Sequence, residues 1–251
     1  MEKLIYSILW VKNQSVLLNS MLNDLRGISG ARLYPVSCND LTVIVSDISK
    51  TGFVADQSKA IEFAGTIESM AQFFTLLPVR FGSLMNSTDA IKEMIERNAT
   101  EIRQNLLKVE NKVEFGLKTL CDSEKLKAAL SAESEQKIPT HQETDGEIKI
   151  SVFKEYMNQK LKEHRLEEIL LAYVDSVIVE ISEYLKKMNA LVKFKKMVTA
   201  NIIIDAVFLL DTELKDELIQ SVKEFQSLYP SLGFVLTGPW PPYNFVDFTI
   251  K

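Results

Sequence analysis

The sequence predicts an α+β protein of two ferredoxin-like (βαββαβ) domains joined by a helix, with a long helix in the second domain and a Pro-rich C-terminal strap. Three observations predict it. Apolar runs of strand length alternate with segments whose apolar residues recur at helical spacing. Between Lys3 and Val79 the order is strand, helix, two strands, helix, strand. From Lys112 the same order returns, interrupted after its first strand by a polar insertion and a long helix. The halves share a pattern and no visible identity. The expected boundaries are 1–110, which includes the joining helix, and 111–251, with a flexible insertion at about 122–148 and a tail at 237–251.

Each element has a local reason. Residues 3–11 are apolar and rich in β-formers. Residues 14–26 place Val16, Leu17, Leu18, Met21, Leu22 and Leu25 near helical spacing, and Gly27 ends the helix. Ala31–Ser37 and Leu41–Ser46 read as strands joined by a turn at Cys38-Asn39-Asp40. A second helix over about 56–74 carries Ile61, Phe63, Ile67, Met70 and Phe74, weakened at Gly65. Leu76–Val79 is a short strand that Pro78 confines to an edge or an end. Ser87-Thr88-Asp89 caps a helix whose apolar face is Ile91, Met94, Ile95, Ile102, Leu106 and Val109.

In the second half, Lys112–Leu120 alternates Val113, Phe115 and Leu117 with Glu114 and Lys118, while Gly116 permits a bulge or a close approach. Polar composition over 122–146 reads as a frayed helix at 123–133 and then a mobile loop holding His141. From Leu166 to Met188 one apolar stripe marks a long helix, with His164 on its surface. Lys186–Met197 reads as a strand edge guarded by lysines. Thr199–Leu210 is a buried strand, Thr212–Leu228 a helix turning Leu214, Leu218, Val222 and Phe225 inward, and Leu232–Leu236 a last strand.

Composition narrows the function. With 46% hydrophobic and 25% charged residues and a net charge of −5, the chain matches ordinary globular proteins and disfavours a phosphate-tracking surface. No apolar run reaches 18 residues, so no membrane partner is expected. The N-terminus enters a strand directly, and Cys38 and Cys121 form no ligand pattern, which reads as a cytoplasmic protein with free thiols. Phosphate-binding glycine loops, a nucleophile elbow and a zinc-protease helix motif are all missing, as is the aromatic strand of RNA-binding ferredoxin-like sheets. No enzyme activity, cofactor, metal or nucleic-acid partner is expected.

Two stretches stand out. After the apolar strand comes Arg80-Phe81-Gly82, where the guanidinium can pair internally, meet a partner protein or, least of all, serve catalysis. Thr237–Val246 holds three of seven prolines and one of two tryptophans, and reads as an extended, polyproline-like strap. Burying Trp240 contributes about 4–6 kcal/mol, against about 10–20 kcal/mol for ordering ten residues. Tyr243, Phe245 and Val246 therefore dock too, on the protein's own domains or on a partner.

Leu77-Pro78-Val79-Arg80-Phe81-Gly82, the Lys112–Lys118 strand with Glu114 and Gly116, and the Gly238-Pro239-Trp240-Pro241-Pro242-Tyr243 strap together resemble the gas vesicle protein family GvpF/GvpL, in order and spacing along nearly the whole chain. Where relatives carry a histidine before an acidic residue, this chain has Phe63-Ala64-Gly65-Thr66-Ile67-Glu68, so no histidine role carries over. The resemblance implies a minor, non-catalytic gas vesicle component that binds the hydrophobic GvpA-type shell protein, limits its aggregation and helps nucleate the vesicle. Other accessory gas vesicle proteins are further implied partners. The surfaces expected to do so are the N-terminal sheet with its following helix, and the strap where it crosses between domains. The alternatives are a small-ligand sensor or an RNA-binding protein built on paired ferredoxin-like domains.

Overall fold

The computed structural model describes residues 1–11, 14–49, 56–121, 168, 172–173, 175–194 and 202–246. Contacts divide the chain into two compact units: Met1–Phe115 with Leu209–Thr212 and Gly238–Lys251, and Gly116–Phe208 with Glu213–Thr237. The chain is mixed α+β with two antiparallel sheets.

The first unit contains β1 (Glu2–Trp10), α1 (Ser15–Asp24), β2 (Leu33–Cys38), β3 (Leu41–Ile48), α2 (Gln57–Ala71), β4 (Leu76–Pro78), β5 (Leu84–Met85) and α3 (Thr88–Val109). Its strands lie in the order β2-β3-β1-β4, and β5 also pairs with β1. Asn39, at φ 55°, makes the turn between β2 and β3, where a left-handed residue matches the twist of a tight hairpin. Pro35 sits in β2, the edge strand, where a missing N–H is tolerated.

β1 is buried on both faces, and a bulge lets it serve both. Its register against β3 slips between Ile5 and Ser7, leaving Tyr6 as the extra residue. Leu4, Tyr6 and Leu9 thereby join a core with Leu18 and Leu22 of α1 and Phe63, Ile67 and Met70 of α2. The opposite face meets α3, which packs across β1, β2, β4 and β5. Ser87 caps α3 by accepting the Ala90 N–H at 3.1 Å, and the expected face of α3 is the buried one. The sheet of this unit is thus covered twice, by α1 and α2 on one side and by α3 on the other.

Three expected core positions, Val16, Leu17 and Ile61, are outside it. Val16 is 82% exposed and Ile61 65%, because α1 buries only Leu18 and Leu22, and α2 turns Phe63, Thr66, Ile67 and Met70 inward. β5 was absent from the sequence expectation, since two residues carry no periodicity.

In the second sheet, β6 (Lys112–Cys121), β7 (Leu191–Phe194), β8 (Ile202–Asp211) and β9 (Leu232–Trp240) lie in the order β7-β8-β6-β9. The division into units falls within β6, β8 and β9. β7 is an edge, as its lysine-rich surroundings predict. Helical residues 175–187 (α4) and Lys215–Leu228 (α5) pack together. Val177, Ile181 and Leu185 are buried along α4 at helical spacing. Tyr184 meets Phe225 edge-on at 5.5 Å and bonds Ser221, and Tyr229, just past α5, donates to Glu180. The insertion at 122–148, the helix at 123–133, His141, His164 and the first part of the long helix lie outside the described residues.

The C-terminal stretch departs from one extended strap. Its first residues, through Trp240, continue β9, an edge strand in which Pro239 is accommodated. After it the chain turns sharply, with the Tyr243 N–H bonded to the Pro241 carbonyl at 2.7 Å and the Phe245 N–H to that of Pro242 at 3.2 Å. Two adjacent prolines with fixed φ favour such a turn as readily as an extended run.

Candidate functional site

Two turns of the first unit carry the residues singled out by the sequence. The first lies between β4 and β5, which pair with successive stretches of the same edge of β1. Pro78 ends β4 opposite Ser7 and is buried, as its demotion to a strand end predicts. The Arg80 carbonyl then accepts the Ser83 N–H at 3.1 Å and the Ser83 hydroxyl at 2.8 Å, which closes a four-residue turn. Gly82, its third residue, has φ 86°, the left-handed value that a type II turn requires there. The turn faces the β1 bulge: Val79 donates to the Tyr6 carbonyl at 3.0 Å, and Ile5 donates to the Ser83 carbonyl at 3.0 Å.

Phe81 is half-buried against Phe63, with ring centroids 5.3 Å apart, whereas Arg80 is exposed. Among the described residues the Arg80 guanidinium has no ion-pair partner, so the internal pair considered from the sequence is not formed there.

The second turn is Pro241–Phe245. Pro241, Pro242 and Phe245 are buried, Phe245 to 1% exposure. Glu114 waits at the start of β6. Alternation along β6 suggested a solvent-facing carboxylate, yet Glu114 is only 2% exposed. The carboxylate accepts the Asn244 backbone N–H at 2.7 Å and its side-chain Nδ2 at 2.5 Å. A buried carboxylate is tolerated when charge-assisted hydrogen bonds replace its water, and Asn244 supplies two. Sequence reasoning missed Asn244, because its partner lies 130 residues away and no local signal links them.

Gly238 explains how the chain enters this turn. Its φ is 119°, and a Cβ there would stand 2.8 Å from the Glu114 carbonyl oxygen and 2.9 Å from the Phe115 ring. Only glycine fits. Gly116 is likewise crowded, by the Thr237 side chain, whose hydroxyl donates to the Gly116 carbonyl at 3.4 Å. Pro239 and Trp240 are exposed. Trp240 was expected to anchor the stretch by burial; it is 39% exposed, and Phe245 with the two prolines does the anchoring.

Tyr243 is 40% exposed, and its phenol sits well above the ordinary tyrosine range. Partial burial is the main cause, and the carboxylates of Glu68 on α2 and Glu114 add to it. Glu68 was not singled out by the sequence. Neither turn forms a catalytic constellation. No group of three or more His, Cys, Asp or Glu side chains able to hold a metal occurs among the described residues, and no described helix is long and apolar enough to cross a membrane. What the two turns offer is surface: an exposed cation on one, unpaired among the described residues, and two half-exposed aromatic rings on the other.

Comparison with known proteins matches residues 3–247 to the family described as gas vesicle synthesis protein GvpL/GvpF. Gas vesicle protein F1 of Halobacterium salinarum is 22% identical over 231 residues, covering 90% of this chain and 87% of that one. Gas vesicle protein F2 of the same organism is 22% identical over 243 residues, covering 95% and 89%. The fold is similar to the crystal structure of GvpF from Anabaena sp. PCC7120, at a TM-score of 0.74 and 20% identity over 99% of this chain and 97% of that one. GvpF from Microcystis aeruginosa matches at 0.74 and 18% identity, over 98% and 99%.

Proposed function

The chain belongs to the GvpL/GvpF family of gas vesicle synthesis proteins, and from that premise we propose that it is a minor, non-catalytic assembly component that binds the hydrophobic GvpA-type shell protein. It limits aggregation of that protein, helps nucleate the vesicle and resides at the gas vesicle, in the cytoplasm. The family is one of gas vesicle formation, and the finer role rests on a surface of the first unit.

The observation that carries this reading is the outer side of α1 and α2. α1 has no charged residue before Asp24 and leaves Val16 and Leu17 82% and 43% exposed, while α2 leaves Ile61 65% exposed. The uncharged, partly apolar surface of α1, with Ile61 of α2 exposed between Lys59 and Glu62, suits another protein's apolar segment and would be disfavoured without such a partner. The sheet face, expected to contribute, lies under α3, so the contact belongs to the helices and to the exposed edge at Arg80. The repeated strand-helix order supports reading both units as ferredoxin-like, with the second following the same strand order about β6 and β8.

Co-purification of the full chain with the shell protein tests the role. Serine at Val16, Leu17 and Ile61 together should abolish retention, whereas serine at Leu107 of α3 and Leu228 of α5, also exposed, should leave it unchanged. Equal loss in both sets would remove the assignment to α1 and α2.

A further inference from the structure

We infer that Gln226 holds the β9 edge shut against strand addition by a second copy of this chain. An edge strand presents a row of unpaired N–H and C=O groups, and another strand takes them unless charge, proline or a cover stands in the way. Charge guards the opposite edge, β7, where Lys193 stands. From Leu232 to Trp240, β9 has no charged residue, and its proline comes only at Pro239. Its cover is a side chain.

Gln226, in the last turn of α5, donates from Nε2 to the Leu232 carbonyl at 2.7 Å, and its Oε1 accepts the Phe234 N–H at 3.0 Å. One amide thus presents to the edge the donor and the acceptor that a neighbouring strand would bring. The local chain path puts it there. α5 gives way to β9 after three residues, with the Leu232 N–H bonded to the Tyr229 carbonyl at 3.0 Å. Phe225 and Tyr229 rest on the Phe234 ring, at centroid distances of 6.3 and 6.4 Å. Peptide groups alternate in direction along a strand, so Leu236 is the next residue to point outward. Gln226 takes the positions before it, which leaves too little edge for a ladder. The occupant it excludes is another β9. Two such edges are identical and uncharged, so they can pair antiparallel about a two-fold axis with no like charges opposed. The contact belongs to neither α1 nor α2, so its failure and the failure of shell-protein binding are separate outcomes.

Sedimentation velocity of the full chain over a range of concentrations, with amide hydrogen exchange, tests this. Gln226→Ala should self-associate about tenfold or more tightly than wild type, moving towards twice the wild-type mass. When dilute, its Phe234 amide should exchange about three- to tenfold faster than in wild type. As the variant associates, the Phe234 and Leu236 amides should both slow. Gln226→Lys, which sets a charge on the edge in place of the amide, should sediment as wild type. A Gln226→Ala chain that sediments as wild type at every concentration overturns the inference. Association shared by Gln226→Lys, or association that leaves the Leu236 amide unprotected, comes from another surface or from unfolding and overturns it too.

Discussion

Replacing Glu114 by glutamine isolates the contact that holds the C-terminal turn. The carboxylate is 2% exposed and receives two donors from one residue, Asn244 N at 2.7 Å and Nδ2 at 2.5 Å. Hydrogen bonds to a charged group are worth about 1.5–3 kcal/mol each. Glutamine keeps one acceptor oxygen and turns an N–H₂ toward the other donor. One bond is therefore lost, the survivor is no longer charge-assisted, and the net cost is about 2–3 kcal/mol. Because the loss falls on one local turn, amide hydrogen exchange reads it more directly than global melting. The Asn244 amide, whose hydrogen points at Glu114, should exchange about 30- to 150-fold faster in Glu114→Gln, one decade for each 1.4 kcal/mol. Asn244→Ala removes only the side-chain bond and should accelerate the same amide by about tenfold or less. The two substitutions together should fall short of the sum of their separate effects, because they remove a shared contact. An Asn244 amide that exchanges within threefold of the wild-type rate in Glu114→Gln would refute the assignment of Glu114 as the clasp.

Three further outcomes follow from the same coordinates. Gly238→Ala places a methyl 2.8 Å from the Glu114 carbonyl at φ 119° and should cost about 3–4 kcal/mol, whereas Gly82→Ala, at φ 86° with open space around it, should cost about 1 kcal/mol; urea denaturation separates them. Tyr229, pushed up to about 12 by its hydrogen bond to Glu180 and by burial, stays protonated in the folded chain while the unfolded chain ionises. Its contribution is therefore full below about pH 10 and lost as pH rises toward 12, and Tyr229→Phe should flatten melting temperature against pH in that window. The Arg103 guanidinium donates to both oxygens of Asp40, at 3.0 and 2.6 Å, and holds that carboxyl below its usual range. This contribution is present above about pH 4 and lost as pH falls further, so Arg103→Ala should lower stability slightly at neutral pH and make acid unfolding less steep below pH 4.

The order of elements was legible because each one rests on neighbours in sequence. The stripe Ile91, Met94, Ile95, Ile102, Leu106 and Val109 needs no information beyond its own spacing, and its burial in α3 follows from it. Pro78 at a strand end and Gly82 in a turn are equally local, since fixed φ and freedom at positive φ are properties of single residues. The family resemblance was carried by segments of that kind.

Burial of a polar side chain is a different matter. Glu114 looks solvent-facing in an alternating strand, and Asn244, 130 residues later, supplies two of the donors that let its carboxylate be buried. Val16 and Ile61 share the periodicity of the core yet lie outside it, because a helix against a sheet buries a stripe narrower than its apolar residues can fill. Trp240 is displayed while Phe245 is buried, although its greater apolar area favours the reverse. Sequence spacing determined which residues form helices and strands, because φ, ψ and side-chain direction are set within a few positions. The tertiary structure alone decided which residues lose their water, because desolvation depends on groups that the chain brings together from its two ends.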